Sequence, residues 1–173
     1  TEFQIGKDLV LKEGGDVTII ASGIMVELSL KAAELLEAEG IHATVIDMFT
    51  WKPLDEELVL AYAEKTGAIV TAENHRIATG LGSAVANLLS EHQMVPLGRT
   101  GVGNVYGEVG VLPYLLERFE MRPEDIAQKR LKNTAVQIRR DIIEATSHGK
   151  GCGVTLLESP STCAQYLKTE LGC

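Results

Sequence analysis

The chain predicts an α/β domain in three layers, with helices on both faces of a parallel-dominated sheet. Two observations carry this reading. Short apolar runs rich in β-branched residues, at 17–21, 43–48 and 68–71, alternate with helical patterns of ten or more residues, the order that right-handed crossovers turn into a parallel sheet. The length of 173 residues, 45% hydrophobic and 23% charged, is that of one ordinary domain with a sizeable core.

Residues 9–11, the turn Glu13-Gly14-Gly15-Asp16 and the run 17–21 read as a short strand, a tight reversal and a buried strand, which makes an antiparallel edge plausible at the start. Ser22-Gly23 then opens a helix in which Met25, Leu28, Ala32, Leu35 and Leu36 recur at helical spacing, with Glu27, Lys31, Glu34 and Glu37 on the opposite face. Gly40 ends it. Residues 43–48 have the pattern of a strand buried on both faces. Pro53 marks a turn and Asp55 an N-cap, with Glu56 and Glu57 where the helix dipole favours them, and the helix is expected to reach Lys65.

Gly67 separates that helix from a strand at 68–71, after which Gly80-Leu81-Gly82 leads into a helix to Ser90. Val95-Pro96-Leu97 is expected to be a short strand whose proline suits a sheet edge. Four glycines between 101 and 110 imply an irregular connection. Helices follow at 113–119 and from Pro123, each with proline near its first turn. Beyond residue 132 an amphipathic helix through Ala135, Ile138, Ile142 and Ala145, a glycine hinge at 149–153, a strand at 154–157 and a helix at 163–171 are expected, so the chain divides at 1–132 and 133–173.

Composition excludes several roles. No apolar run approaches the roughly 18 residues of a membrane span. A net charge of −8 with scattered basic residues opposes nucleic acid and anionic lipid. Cys152, Cys163 and Cys173 have no zinc spacing, and an odd count without a secretory leader suits reduced thiols in a cytoplasmic protein. A start at Thr1 fits a processed terminus or a fragment. His42, His92 and His148 lack partners at metal-ligand spacing and are expected at the surface.

The most informative stretch is Val70-Thr71-Ala72-Glu73-Asn74-His75-Arg76-Ile77-Ala78-Thr79-Gly80-Leu81-Gly82. Glycines at a helix start can admit a phosphate to free backbone N–H groups, but the dinucleotide pattern is only half present: Val85 stands where Gly or Ala is wanted, and Arg99 stands near where an acid is wanted. Close packing of the loop on the sheet is the favoured reading of Gly80 and Gly82. Glu73 falls at a predicted strand end, where open α/β sheets place ligands, and His75 follows two residues later. The two could act as base and orienter, yet no hydroxyl or thiol nucleophile accompanies them. Phe49 and Trp51 could anchor an interface or pack ordinarily.

Taken with Asp16-Val17-Thr18-Ile19-Ile20-Ala21-Ser22-Gly23, with Asp47-Met48-Phe49-Thr50-Trp51-Lys52-Pro53-Leu54-Asp55 and with Val102-Gly103-Asn104-Val105-Tyr106-Gly107-Glu108-Val109-Gly110, this stretch resembles the C-terminal domain of transketolase. The likeness runs from about Phe3 to Lys132 and is closest to the separately encoded C-terminal half of split transketolases. It implies a mixed, mostly parallel five-stranded sheet in an α/β/α sandwich. It also implies a dimeric transferase that moves a two-carbon ketol unit between sugar phosphates, as in the pentose phosphate pathway, using thiamine diphosphate and a divalent cation such as Mg.

In that family the cofactor lies between the two domains that precede this one, held through a Gly-Asp-Gly segment and a later Asn, and the chain contains no Gly-Asp-Gly. The resemblance therefore implies no catalytic, cofactor-binding or metal residue here, no turnover by the chain alone, and partners in the N-terminal and middle domains or subunit. Glu73, His75, Gly80 and Gly82 are left as an interface or supporting loop. Deoxyxylulose phosphate synthase and the β subunit of 2-oxoacid dehydrogenases are the neighbouring readings, and an independent nucleotide or small-molecule binding module is the reading from another class.

Overall fold

The computed structural model describes residues 4–129. The expectations for the tail, including the helix through Ala135, the glycine hinge, the three cysteines and His148, lie outside these residues. Five strands form one sheet: β1 (Leu9–Lys12), β2 (Val17–Ala21), β3 (Ala43–Asp47), β4 (Ile69–Arg76) and β5 (Leu97–Val102). Their order is β1-β3-β2-β4-β5, with β1 antiparallel to β3 and every other pair parallel. Helices α1 (Met25–Ala38), α2 (Glu56–Thr66), α3 (Leu81–Glu91) and α4 (Leu112–Arg118) connect and follow them, and another helix starts at Pro123.

Period-two alternation along the strands divides the core into two layers. Val17, Ile19 and Ala21 point toward α1 with Val45, Val70 and Ala72, joined by Met121 and Ile126. Ile20, Ile46 and Ile69 point the other way, toward Val59 and Ala63 of α2 and Val85 and Leu88 of α3. The strands of the parallel core are buried on both faces, and all five residues of β2 are buried. This explains why these runs read as continuously apolar.

The antiparallel edge expected at the start is present, but β1 forms it with β3, Leu9 opposite Asp47 and Val10 opposite Ile46, and not with β2 across the reversal at 13–16. The turn is pinned across β3 by Asp16 N donating to His42 O (3.0 Å), His42 N donating to Asp16 Oδ2 (2.7 Å) and Gly14 N donating to Thr44 Oγ1 (2.9 Å). A Cβ on Gly14 would lie 2.3 Å from His42 O, so only glycine lets the turn lie this close. Along α1, Leu35 is 41% exposed, and Ser29 and Ala33 take inward positions with Met25, Ala32 and Leu36.

The caps follow the sequence. Gly40 has φ +78° just past α1, while Ile41 N donates to Leu36 O at 2.9 Å, a left-handed stop that satisfies an orphan carbonyl. Asp55 caps α2 through Leu58 N (3.3 Å), and its other oxygen accepts from Asp8 N (3.1 Å), tying the segment before β1 to the helix. Asp55→Ala is expected to cost about 1–2 kcal/mol by urea unfolding, since it removes a cap and strands a second donor. A loss near zero would show that neither bond matters.

Two strand ends also differ from expectation. β5 is Leu97–Val102, longer and later than Val95-Pro96-Leu97, with Pro96 just ahead of it; Gly101 and Val102, read as irregular, belong to it. As an edge strand it tolerates Gly98 and Gly101, which lack strand propensity. β4 does not stop at Thr71 but continues to Arg76.

Candidate functional site

The extension of β4 reshapes the carboxyl edge of the sheet. Ala72 pairs with Thr100 and Arg76 with Val102, so β4 advances four residues while β5 advances two. The surplus is a bulge at Glu73, Asn74 and His75. Gly101 makes it possible: a Cβ there would stand 2.8 Å from both Glu73 O and His75 O. The loop expected at 74–79 shrinks accordingly to the turn after Arg76, whose carbonyl accepts from Thr79 N (3.1 Å) and Gly80 N (3.0 Å).

Glu73 is therefore not a strand-end residue facing a ligand crevice. It is fully buried, and its two oxygens accept from the first backbone N–H groups of α3, Leu81 N to Oε2 and Gly82 N to Oε1, each at 2.8 Å. A carboxylate there meets the orphan donors and the positive end of the helix dipole together. It takes the place a phosphate would need. Both glycines are packing positions: a Cβ on Gly80 would fall 1.7 Å from Glu73 Oε2, and one on Gly82 would lie 2.8 Å from Arg99 Cδ and 2.9 Å from Thr71 Oγ1. Arg99 also donates to Ile77 O at 3.2 Å.

Outside the bulge, polar and aromatic side chains emerge together. His75 is exposed and meets the half-buried Trp51 ring edge-on, with centroids 5.8 Å apart at 83°. Arg76 donates to Asn104 Oδ1 at 2.8 Å, joining the β4 end to the segment after β5. Glu73 and His75, close in sequence, are thus separated in role: the acid faces inward to the helix and the imidazole faces outward. Trp51 was legible only as an alternative, and Arg76, Asn104 and Gly101 had no distinguishing signal in the sequence. His42 and His92 are exposed.

Among the described residues no hydroxyl is aligned with His75 by a hydrogen bond, and no group of three His, Cys, Asp or Glu side chains could hold a metal ion. Among those residues, too, no helix is long and apolar enough to cross a membrane.

A mixed, mostly parallel five-stranded sheet with helices is the α/β architecture of the C-terminal domain of transketolases. The chain belongs to the family described as transketolase, C-terminal domain, which residues 6–126 match. It is 53% identical over 127 residues to the 6-deoxy-6-sulfo-D-fructose transketolase subunit of Clostridium sp. (strain MSTE9), covering 73% of this chain and 39% of that protein. It is 41% identical over 129 residues to the 1-deoxy-D-xylulose-5-phosphate synthase of Heliobacterium modesticaldum, covering 74% and 20% respectively.

Among solved structures it resembles a split-gene transketolase described as an inactive β4 tetramer, with a TM-score of 0.74, 47% identity, and coverage of 77% of this chain and 44% of that one. The chain thus spans about two fifths of these transketolase subunits and a fifth of the synthase. Members of the family are thiamine diphosphate enzymes. The residues described here do not fit that group at the one glycine-rich helix entrance, where Glu73 already holds the N–H groups a diphosphate would take.

Proposed function

We propose that this chain is the C-terminal domain of a transketolase subunit and that it serves assembly, while thiamine diphosphate, Mg and the ketol-transfer chemistry belong to the N-terminal and middle domains or a partner subunit. The observation that carries this reading is the internal capping of α3, because the N–H groups at the Gly80-Leu81-Gly82 helix entrance, where a phosphate could have been admitted, are held by Glu73. Identity of 53% to a subunit named for a sulfosugar substrate favours a transketolase over the synthase, with a sulfonated or phosphorylated ketose as donor. The tetramer of the 47% identical neighbour supports assembly of this chain with copies of itself as well.

The domain docks on the catalytic part through the carboxyl edge of the sheet. Glu73, Gly80 and Gly82 set the bulge and helix entrance, and His75, with Trp51 and Arg76, presents the contact. Arg76 is an exposed cation on a chain of net charge −8, so an acidic patch on the catalytic part would complement it.

The test is reconstitution. Mixing the chain with an upstream section that carries a Gly-Asp-Gly segment is expected to give ketol transfer, with no turnover from either alone. Arg76→Glu is expected to weaken that pairing by about tenfold or more, mostly in association rate, and to leave the melting temperature of the isolated chain nearly unchanged. Turnover by the chain alone, or full pairing by the variant, would refute the assignment.

A further inference from the structure

The segment ahead of β1 is fastened at several points to the connection between β3 and α2. Gly6 N donates to Thr50 Oγ1 (3.1 Å), Thr50 N donates to Asp8 Oδ1 (3.2 Å), and Asp8 N donates to Asp55 Oδ2 (3.1 Å). Lys7 reaches the same place, its Nζ 2.9 Å from Glu57 Oε2 and 3.5 Å from Asp55 Oδ1. Residues 6–8 thus lie as a strap across the connection that carries Trp51, and Trp51 in turn meets His75.

The weak point of the strap is the Asp8 carboxyl. Its Oδ1 has a donor in Thr50 N, but its Oδ2 is buried without a hydrogen-bond partner. Two further carboxylates act on it: Asp55, which holds the Asp8 backbone, and Asp47, which stands opposite Leu9 across β1 and β3. The nearby cation, Lys7, is engaged by Glu57 and Asp55. A buried anionic oxygen with no donor costs free energy that the neutral acid does not, and a proton on Oδ2 would turn it into a donor. Burial, and after it repulsion from Asp55 and Asp47, outweighs the bonds from Thr50 and Phe49 and holds the Asp8 carboxyl above its ordinary range; burial does the same for Asp47.

We propose that residues 6–8 form a pH-sensitive strap: near neutral pH the charged, half-satisfied Asp8 carboxylate loosens it, and uptake of one proton by Asp8 as the pH falls fastens it to the β3–α2 connection and steadies Trp51. A group that binds its proton more tightly in the closed strap than in the open one favours the closed form as the pH falls through its titration, and loses that effect above it. Exposed carboxylates held below their ordinary range act the opposite way and only at lower pH: Glu13 by its bond to Lys65, Glu27 to Lys31, Glu37 to Lys12 and Glu108 to Tyr114. The strap does not depend on the docking reading; where the Trp51 edge is the contact surface, it links that surface to pH.

Native-state hydrogen exchange of the full chain, read at the amides of Gly6, Asp8 and Thr50 and corrected for the intrinsic pH dependence of exchange, tests this. Protection of the three is expected to rise about threefold or more between about pH 7.5 and about pH 5. The Ile41 amide, bonded to Leu36 O ahead of the other end of β3, is expected to show no such rise. Asp8→Asn keeps an acceptor for Thr50 N and carries no charge, so its strap amides should be equally protected at both pH values. Asp47→Asn leaves Asp8 titrating with one repelling charge fewer and should shrink the rise, which keeps the test decisive if Asp8→Asn does not fold. Emission of Trp51, the one tryptophan of the chain, is expected to move to shorter wavelength over the same range in a His75→Gln background, which removes the imidazole beside the indole.

Constant protection in the parent, or a rise that persists in Asp8→Asn or is unchanged in Asp47→Asn, overturns the proposal, since the proton would then act elsewhere or not at all. An emission that stays fixed while the three amides respond overturns the link to Trp51.

Discussion

Glu73→Ala is expected to lower the unfolding free energy by about 4 kcal/mol, because two charge-assisted hydrogen bonds are lost and two helix donors are left buried without acceptors. Glu73 is fully buried and sits at 2.8 Å from both Leu81 N and Gly82 N, so water cannot simply take over its role without opening the site. Glu73→Gln keeps one acceptor oxygen but turns an amide N–H₂ toward the other donor, and about half the loss, roughly 2 kcal/mol, is expected. Urea unfolding at constant m value measures both. An alanine variant within about 1 kcal/mol of the parent would mean that α3 finds other acceptors, and the internal cap would lose its importance.

The same acid shows where sequence reading succeeds and where it stops. Local signals were enough for Asp55, Gly40 and Gly67, since a cap acts within four residues and leaves its type in the sequence. The two core layers were legible because β2, β3 and the start of β4 carry apolar side chains on both faces. What could not be read was pairing between distant segments. Nothing within 73–76 announces a strand; it is drawn on by β5, where Gly101 leaves room for the bulged carbonyls. Propensity argued against β5 as well, with two glycines in six residues, and tertiary pairing overrode it.

The pairing of β1 with β3 was hidden for the same reason. A tight turn suggests a hairpin, and only the cross-strand bonds from Asp16 and Gly14 to His42 and Thr44 show the chain being led past its neighbour. At the candidate site, Glu73 and His75 were visible as residue types, but their separation depends on which way each faces along a bulged strand. The family resemblance supplied the architecture. It could not supply the capping geometry, which follows from side-chain positions.

Gly80→Ala is the sharper test of that geometry. The added Cβ would sit 1.7 Å from Glu73 Oε2 and 2.8 Å from its carboxyl carbon, distances that no rotamer adjustment of a methyl can relieve. The carboxylate must move, and moving it breaks the bonds to Leu81 and Gly82, so the expected cost is about 3 kcal/mol although Gly80 adopts an extended backbone open to alanine. Backbone preference alone would predict almost no cost. The double variant separates the two causes. With Glu73 already alanine the obstructing carboxylate is gone, and adding Gly80→Ala should cost less than about 1 kcal/mol, a coupling of at least 2 kcal/mol in the cycle. Additive losses would instead place the penalty in the remaining close neighbour, Arg76 O at 3.1 Å, and would separate the glycine from the internal carboxylate that it accommodates.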